Sequence, residues 1–277
     1  MKPHPLESTF AEALLNLETV GLDGLTTKAG LQTRKDRKYL VPEAALPALV
    51  HELDFGCRVL TIDGRNRFAY RSTYFDTPRL DSYFDAAHRR PSRFKVRTRH
   101  YLDTQLCMLE VKTSDSRGLT VKHRMTCDPN EENGLTACGR AFVETIEQTS
   151  TVAGDLQPLL TTTYHRTTLL PQVDEAARVT IDTGLLWRGV AAELALGPVA
   201  VIETKTTTRP CKFDRLLWRL GHRPTTISKY CTGLAALNPT LAANKWNRVL
   251  RHQLNWHPER GHALPASPFP AAVNAPW

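Results

Sequence analysis

Apolar residues recur at helical intervals near the N-terminus. In STFAEALLNLETV, residues 8–20, Phe10, Leu14 and Leu17 share one side of a helix that Ser8 would cap. A Gly- and Thr-rich link follows. VPEAALPALVHEL then sets Pro42 and Glu43 where a second helix begins, and its apolar positions continue to Leu53 across Pro47. From about Tyr70 the period shortens to two. FAYRSTYFDT, SRFKVRTRHY, LCMLEVKTS, LTVKHRMTC, LTTTYHRTTLL, ARVTIDTGL and VAVIETKTT alternate between turn formers such as Asp103, SDSRG, Pro171 and Gly197, which predicts antiparallel strands. GRAFVETIEQT interrupts them as a helix, and FDRLLWRLG, CTGLAALNP and ANKWNRVLRHQL follow as helices. The last stretch, NWHPERGHALPASPFPAAVNAPW, is rich in Pro and Ala without periodicity and reads as a disordered tail.

The alternation sorts charge as well as apolarity. In RFKVRTRHY one face carries Arg93, Lys95, Arg97 and Arg99, and the other carries Phe94, Val96, Thr98 and His100. The same reading groups Glu110 with Lys112, Lys122 with Arg124, Tyr164 with Arg166, Arg178 with Thr180 and Asp182, and Glu203 with Lys205. For any single strand, the wet side of an ordinary sheet accounts for this. Across the set, cations outnumber acids, and like charges on neighbouring strands, about 5 Å apart, repel unless an anion compensates them. A sheet closed into a barrel with these faces inward would enclose a cationic tunnel, wide enough at about eight strands for one extended ligand. Helices would then cover the apolar exterior.

Composition narrows the partner. With 277 residues and 41% hydrophobic content the chain can bury a sizeable core, as one large domain or two ordinary ones. Its net charge of +8 points to an anion: nucleic acid, nucleotide, polyphosphate or membrane surface. Nucleic acid fits poorly, because the cations lie on many separate strands and aromatic stacking platforms are sparse among them. The six cysteines show neither CxxC pairs nor zinc-finger spacing, which suits reduced thiols in a cytoplasmic protein. The longest apolar stretch, GVAAELALGPVAVI, is short and broken by Glu193, so no membrane span is expected.

In order along the chain, RKDRKYLV (34–41), YRSTYFDT (70–77), FKVRTRHY (94–101), LEVKT (109–113), LTVKHR (119–124), TYHRT (163–167), ARVTIDTGL (177–185), VIETKT (201–206) and ISKYCTG (227–233) resemble the VTC domain. This is the polyphosphate-polymerase branch of the triphosphate tunnel metalloenzymes, which also include the CYTH proteins. The resemblance implies an α+β fold, a closed antiparallel tunnel barrel with helices outside, over residues 34–254. An N-terminal helix and linker (1–33) would precede it and the tail (255–277) follow. It implies transfer of the γ-phosphoryl of ATP to inorganic polyphosphate, with Mn²⁺ or Mg²⁺. Carried over by position, Lys38, Arg97, Arg99, Lys112, Lys122, Arg166, Arg178 and Lys229 would act on phosphate. Tyr164 and Ser228 would be wall ligands and Glu203 the metal ligand. Arg124 and Lys205, on the same charged faces, join them as substrate-binding candidates.

Hydrolytic relatives begin with ExExK, two acids alternating before the lysine. Here RKDRK sets Arg34 and Asp36 at the acid positions and Lys38 at the lysine, so one acid of two is missing. This favours the polymerase. Metal-dependent hydrolysis of tripolyphosphate or nucleoside triphosphate, and phosphate binding without turnover, stay open as alternatives. The sequence shows neither the SPX domain nor the membrane spans of eukaryotic relatives, so a separate membrane subunit would have to supply any transport.

Overall fold

The structure is a computed structural model that describes residues 5–26, 35–115, 120–174, 177–206 and 209–257. Arg34 and tail residues 258–277 lie outside the described residues. In chain order the strands are β1 (Glu18–Val20), β2 (Lys35–Pro42), β3 (Cys57–Leu60), β4 (Phe68–Asp76), β5 (Arg93–Tyr101), β6 (Leu106–Ser114), β7 (Thr120–Thr126), β8 (Gln157–Pro171), β9 (Arg178–Arg188), β10 (Glu193–Ala195) and β11 (Val199–Thr206). The helices are α1 (Pro5–Leu14), α2 (Leu22–Thr26), α3 (Leu46–His51), α4 (Asp81–Ala87), α5 (Ala137–Glu144), α6 (Lys212–Arg219), α7 (Lys229–Leu237) and α8 (Asn247–Leu254). This is a mixed α and β protein with one large, mainly antiparallel sheet, in which β1 runs parallel to β3.

The strand order is β2-β11-β9-β8-β4-β5-β6-β7. The sheet does not close into the barrel expected from the sequence: among the described residues no ladder joins β2 to β7, so the order has two ends. Each end has a local physical reason. On β2 the Lys38 carbonyl accepts the Thr225 amide at 2.7 Å instead of bonding a further strand. β7 is exposed along most of its length and carries Lys122 and Arg124, the charged texture that discourages edge pairing.

Two helix predictions also shift. The first helix begins at Pro5, whose fixed φ suits a first turn, and stops at Leu14, after which the β-branched Thr19 and Val20 form β1. Pro47 lies in the first turn of α3, preceded by a 3₁₀ turn at Glu43–Ala45. Helix α4 follows Leu80, which holds a left-handed conformation at φ 59°, and no start signal at that position predicted it.

The chain divides into two compact units. The first comprises Met1–Ala69, Tyr164–Leu185 and Leu196–Thr226. Here Tyr39 and Val41 of β2, Val179 and Ile181 of β9, and Ala200 and Ile202 of β11 form one apolar face. Phe10 and Leu14 of α1, Leu46 and Leu49 of α3, and Phe213 and Leu217 of α6 pack against it. Beneath this layer Asp214, fully buried, accepts from the hydroxyls of Tyr39 (2.7 Å) and Thr204 (2.6 Å) and from the Cys211 amide (2.9 Å), with Arg37 at 3.5 Å.

The second unit comprises Tyr70–Thr163, Leu186–Ala195 and Ile227–Trp277. Phe75, Phe94, Val96, Leu109 and Val111 of β4 to β6 pack on Val143 of α5 and on Ile146 and Leu156 beyond it. Asp76, at the end of β4, accepts from the amides of Thr77 (2.8 Å), Ser82 (2.9 Å) and Tyr83 (2.9 Å) and from the Tyr230 hydroxyl (2.5 Å). It thereby ties β4 to α4 and α7. Burial nonetheless pushes its pKa up to about 6, against those donors. Inside α7, Gly233 has no room for a Cβ, which would overlap the Trp187 indole. That indole donates to the Lys229 carbonyl at 2.6 Å and so fixes the start of the helix.

Among the described residues no helix is long and apolar enough to cross a membrane. Asp214→Ala leaves two hydroxyls and an amide without this acceptor and removes the carboxylate beside Arg37, which keeps the Thr206 hydroxyl at 3.0 Å. It should cost the fold about 3 kcal/mol, read as a lower denaturation midpoint with circular dichroism.

Candidate anion-binding site

Strand register assembles the charged residues of each unit into cross-strand rows. In the second unit β5, β6 and β7 lie side by side, and one row reads Lys95, Lys112, Lys122. The next reads Arg97, Glu110, Arg124, and the third Arg99, Met108, Thr126. Among the described residues these three rows therefore hold six cations (Lys95, Arg97, Arg99, Lys112, Lys122, Arg124) and one carboxylate, Glu110.

Glu110 is the hub. Arg97 donates to its Oε2 from Nε at 2.8 Å and from Nη2 at 2.6 Å, Arg99 Nη1 stands 3.9 Å from Oε2, and Lys122 donates to Oε1. Burial alone would raise the Glu110 pKa, but Arg97, Arg99 and Lys122 outweigh it and hold the carboxyl well below the usual range. Lys122 answers in kind. Burial lowers its pKa, Glu110 raises it, Arg97 and Arg99 lower it further, and the ammonium ends near 8. Tyrosines fix the guanidiniums: Arg97 Nη1 reaches the Tyr74 hydroxyl at 3.3 Å, and Arg99 sits over the Tyr70 ring at 5.6 Å. Tyr74 stacks in turn on Tyr230 of α7, centroids 5.3 Å apart.

Ser228 caps α7, its Oγ accepting the Cys231 amide at 3.2 Å and the Lys95 ammonium at 3.4 Å. It sets Lys229 in the first helical turn, half-buried. Arg99 Nε is buried and has no hydrogen-bond partner among the described residues. Lys112 and Arg124 are exposed.

The first unit offers a different balance. Its rows read Lys38, Glu203, Thr180 and Asp36, Lys205, Arg178 across β2, β11 and β9. Lys205 Nζ bonds Glu203 Oε1 at 2.8 Å and stands 3.9 Å from Asp36. Arg166 grips Asp182 with a two-pronged bond, 2.6 and 2.8 Å, and lies over the Tyr164 ring at 5.4 Å. Burial pushes the Glu203 pKa up, yet Lys205, Lys38 and Arg166 together hold it well below the ordinary carboxylate value. Four cations (Lys38, Arg166, Arg178, Lys205) here meet three carboxylates (Asp36, Asp182, Glu203), so this face is almost neutral within itself.

Register thus brings Arg97, Arg99, Lys112, Lys122 and Arg124 together in one unit, with Ser228 joined through Lys95. It brings Lys38, Arg178, Lys205 and Glu203 together in the other, with Arg166 joined through Asp182 and Tyr164 beneath the Arg166 guanidinium. Sequence reasoning passed over Lys95 as a site residue, although its alternation with Arg97 marked it, and also Thr180. The Thr180 hydroxyl is buried opposite Glu203, with no hydrogen-bond partner among the described residues.

The fit to a divalent ion is specific. No group of three His, Cys, Asp or Glu gathers among the described residues. The available donors are one carboxylate kept ionised, Glu203, with Asp36 one row away and the Thr180 hydroxyl opposite. A hard ion that draws its other ligands from phosphate and water needs only one or two protein carboxylates, so the set suits Mg²⁺ or Mn²⁺ bound together with substrate.

The VTC domain family matches residues 33–238, and the chain belongs to that family. No curated protein matches it. Similar solved structures include a proposed adenylate cyclase from Vibrio parahaemolyticus, with a TM-score of 0.45 and 11% identity over 74% of this chain and 98% of that one. A proposed adenylyl cyclase from Hippeastrum with a dominant triphosphatase activity gives 0.48 and 16%, covering 72% and 94%. A Pyrococcus horikoshii protein gives 0.39 and 13%, covering 69% and 92%.

Because Lys122 is cationic below pH 8 and neutral above it, affinity for tripolyphosphate should fall between pH 7 and 9. In Lys122→Arg, whose guanidinium keeps its charge, calorimetric titration should show a flat profile over that range.

Proposed function

We propose that this protein is a polyphosphate polymerase that moves the γ-phosphoryl of ATP onto the end of an inorganic polyphosphate chain, with a divalent metal ion. The reading is carried by one observation: among the described residues, three cross-strand rows of β5, β6 and β7 hold six cations and a single carboxylate. Membership of the VTC domain family supports it.

In the reaction the bond from the γ-phosphorus to the β,γ-bridging oxygen breaks, and a terminal phosphate oxygen of the chain bonds to that phosphorus. ADP leaves with the electron pair. The acceptor is already an anion at neutral pH, so no strong general base is needed. The carboxylates agree with this, since Glu110, Asp182 and Glu203 each bond a cation. A hydrolase would need one of them, or Asp36 at the start of β2, to orient water.

The roles follow from the chemistry of each group. Arg97, Arg99, Arg166 and Arg178 offer planar forks to phosphate oxygens, while Lys38, Lys112, Lys122 and Lys229 supply compact charge. These groups hold negative charge as it redistributes over the transferred phosphoryl. Tyr164, Ser228, Arg124 and Lys205 complete the binding set. Glu203 would hold Mn²⁺ or Mg²⁺, which when bound neutralises the β- and γ-oxygens. A cytoplasmic location, and a separate subunit for any membrane step, belong to the proposal as well.

Purified protein given ATP and Mn²⁺ should make a long, phosphatase-resistant polymer and ADP in step with it. Free phosphate with no polymer would establish the hydrolase instead. Lys229→Ala should lower kcat by about a hundredfold or more while the chain still folds cooperatively, since the substitution keeps the backbone carbonyl that the Trp187 indole bonds. Glu203→Gln should raise the Mn²⁺ concentration needed for half-maximal rate.

A further inference from the structure

The cationic row of β5 does not stop at the site described. Two residues before Lys95 on the same face stands Arg93, at the strand's start. Its guanidinium is anchored by backbone carbonyls, those of Arg90 at 2.8 Å and Pro91 at 3.4 Å. Beside it Lys245 is held in the same way, its ammonium on the Ala86 carbonyl at 2.6 Å. Carbonyl anchoring orients both groups without cancelling their charge. Arg89 contributes to the same local field: burial lowers the Lys245 pKa, Cys231 opposes this, and Arg93 and Arg89 lower it further. Among the described residues no carboxylate pairs with Arg89, Arg93 or Lys245; the nearby Asp85 lies 3.5 Å from Arg90.

Arg89 supplies an independent sign. It sits just past α4 at φ 58°, in the left-handed position where Gly usually ends a helix. Its amide bonds the Ala86 carbonyl at 3.3 Å, and the next amide, of Arg90, bonds that of Asp85 at 2.9 Å, the paired closure that makes this position left-handed. A long cationic side chain at that position is less stable than Gly, so the fold gains nothing from it.

We propose that Arg89, Arg93 and Lys245 form a further phosphate-binding subsite, continuous with the β5 row, that holds internal phosphates of a long inorganic polyphosphate. The row from Arg99 to Arg93 spans about 20 Å at strand rise, longer than a triphosphate, so only a polymer engages both ends. The inference deepens the proposed function and rests on it.

The test compares Arg89→Gly and Lys245→Met, singly and combined, in the full chain. The ligands are long-chain polyphosphate, tripolyphosphate and a single-stranded DNA oligonucleotide. The combined variant should bind long-chain polyphosphate about tenfold more weakly and lose salt dependence, the logarithmic slope dropping by about one per charge removed. Tripolyphosphate affinity should not change, and Arg89→Gly should melt at a higher temperature than the parent. Unchanged affinity for the long chain overturns the subsite. An equal loss for tripolyphosphate also overturns it, by merging these cations with the main site. A loss confined to DNA assigns the patch to nucleic acid and overturns it too. If the parent binds no tripolyphosphate at all, the failure lies with the proposed function.

Discussion

Everything distinctive about this protein follows from like charge held at close quarters on a rigid sheet. On β5, β6 and β7 three lysines, Lys95, Lys112 and Lys122, stand opposite one another at neighbouring-strand distance. Bulk water would screen such a row only in part, and Glu110 can answer only for the guanidiniums of Arg97 and Arg99 and for Lys122. Apolar packing behind the strands keeps the row in place. Phe94, Val96, Leu109 and Val111 face the core, and period two then leaves the charged residues no other direction. The hydrophobic layer thus stabilises an arrangement that electrostatics alone would scatter.

The two units solve this problem differently. In the first, Asp36, Asp182 and Glu203 are interleaved with the cations, and the face is close to self-neutralised. In the second, the three rows hold one acid among six cations in the described residues, a balance that suits an anionic ligand. A metal–phosphate group, as proposed, suits the first environment, where Lys205, Lys38 and Arg166 hold the Glu203 carboxyl well below its ordinary pKa. A polyanion suits the second. Asp76 links the second face to its frame: it receives Tyr230, which stacks on Tyr74, which accepts from Arg97. Few of these supporting residues carry charge, yet they decide where the guanidiniums point.

How much of this was legible in the sequence depends on the range of the interaction. The four-cation face of β5 is local, because period two fixes it, and it could be read directly from RFKVRTRHY. The rows are not local. That Glu203 faces Lys38 and Thr180 requires the order β2, β11, β9, which joins segments over 160 residues apart, and no pattern within any one strand encodes it. The near-neutrality of the first unit was hidden for the same reason: Asp182 was read with Arg178 and Glu203 with Lys205 strand by strand, and only pairing sets Asp36, Lys205 and Arg178 in one row and Lys38 beside Glu203. Closure of the barrel was inferred from charge. What decides closure is hydrogen bonding at strand edges, where Thr225 takes the Lys38 carbonyl and β7 stays exposed. Helix α4 escaped notice because its start depends on Leu80 adopting a left-handed backbone, which its side chain does not announce.

Thermal unfolding with and without tripolyphosphate tests most directly the claim that this excess of positive charge exists to receive linked phosphates. The account requires a melting temperature that rises with ligand as RT ln(1 + [L]/Kd), about 2.7 kcal/mol at a hundredfold excess over Kd, and well beyond the effect of sulfate at equal ionic strength. An unchanged melting temperature, or a rise that sulfate matches, would contradict it.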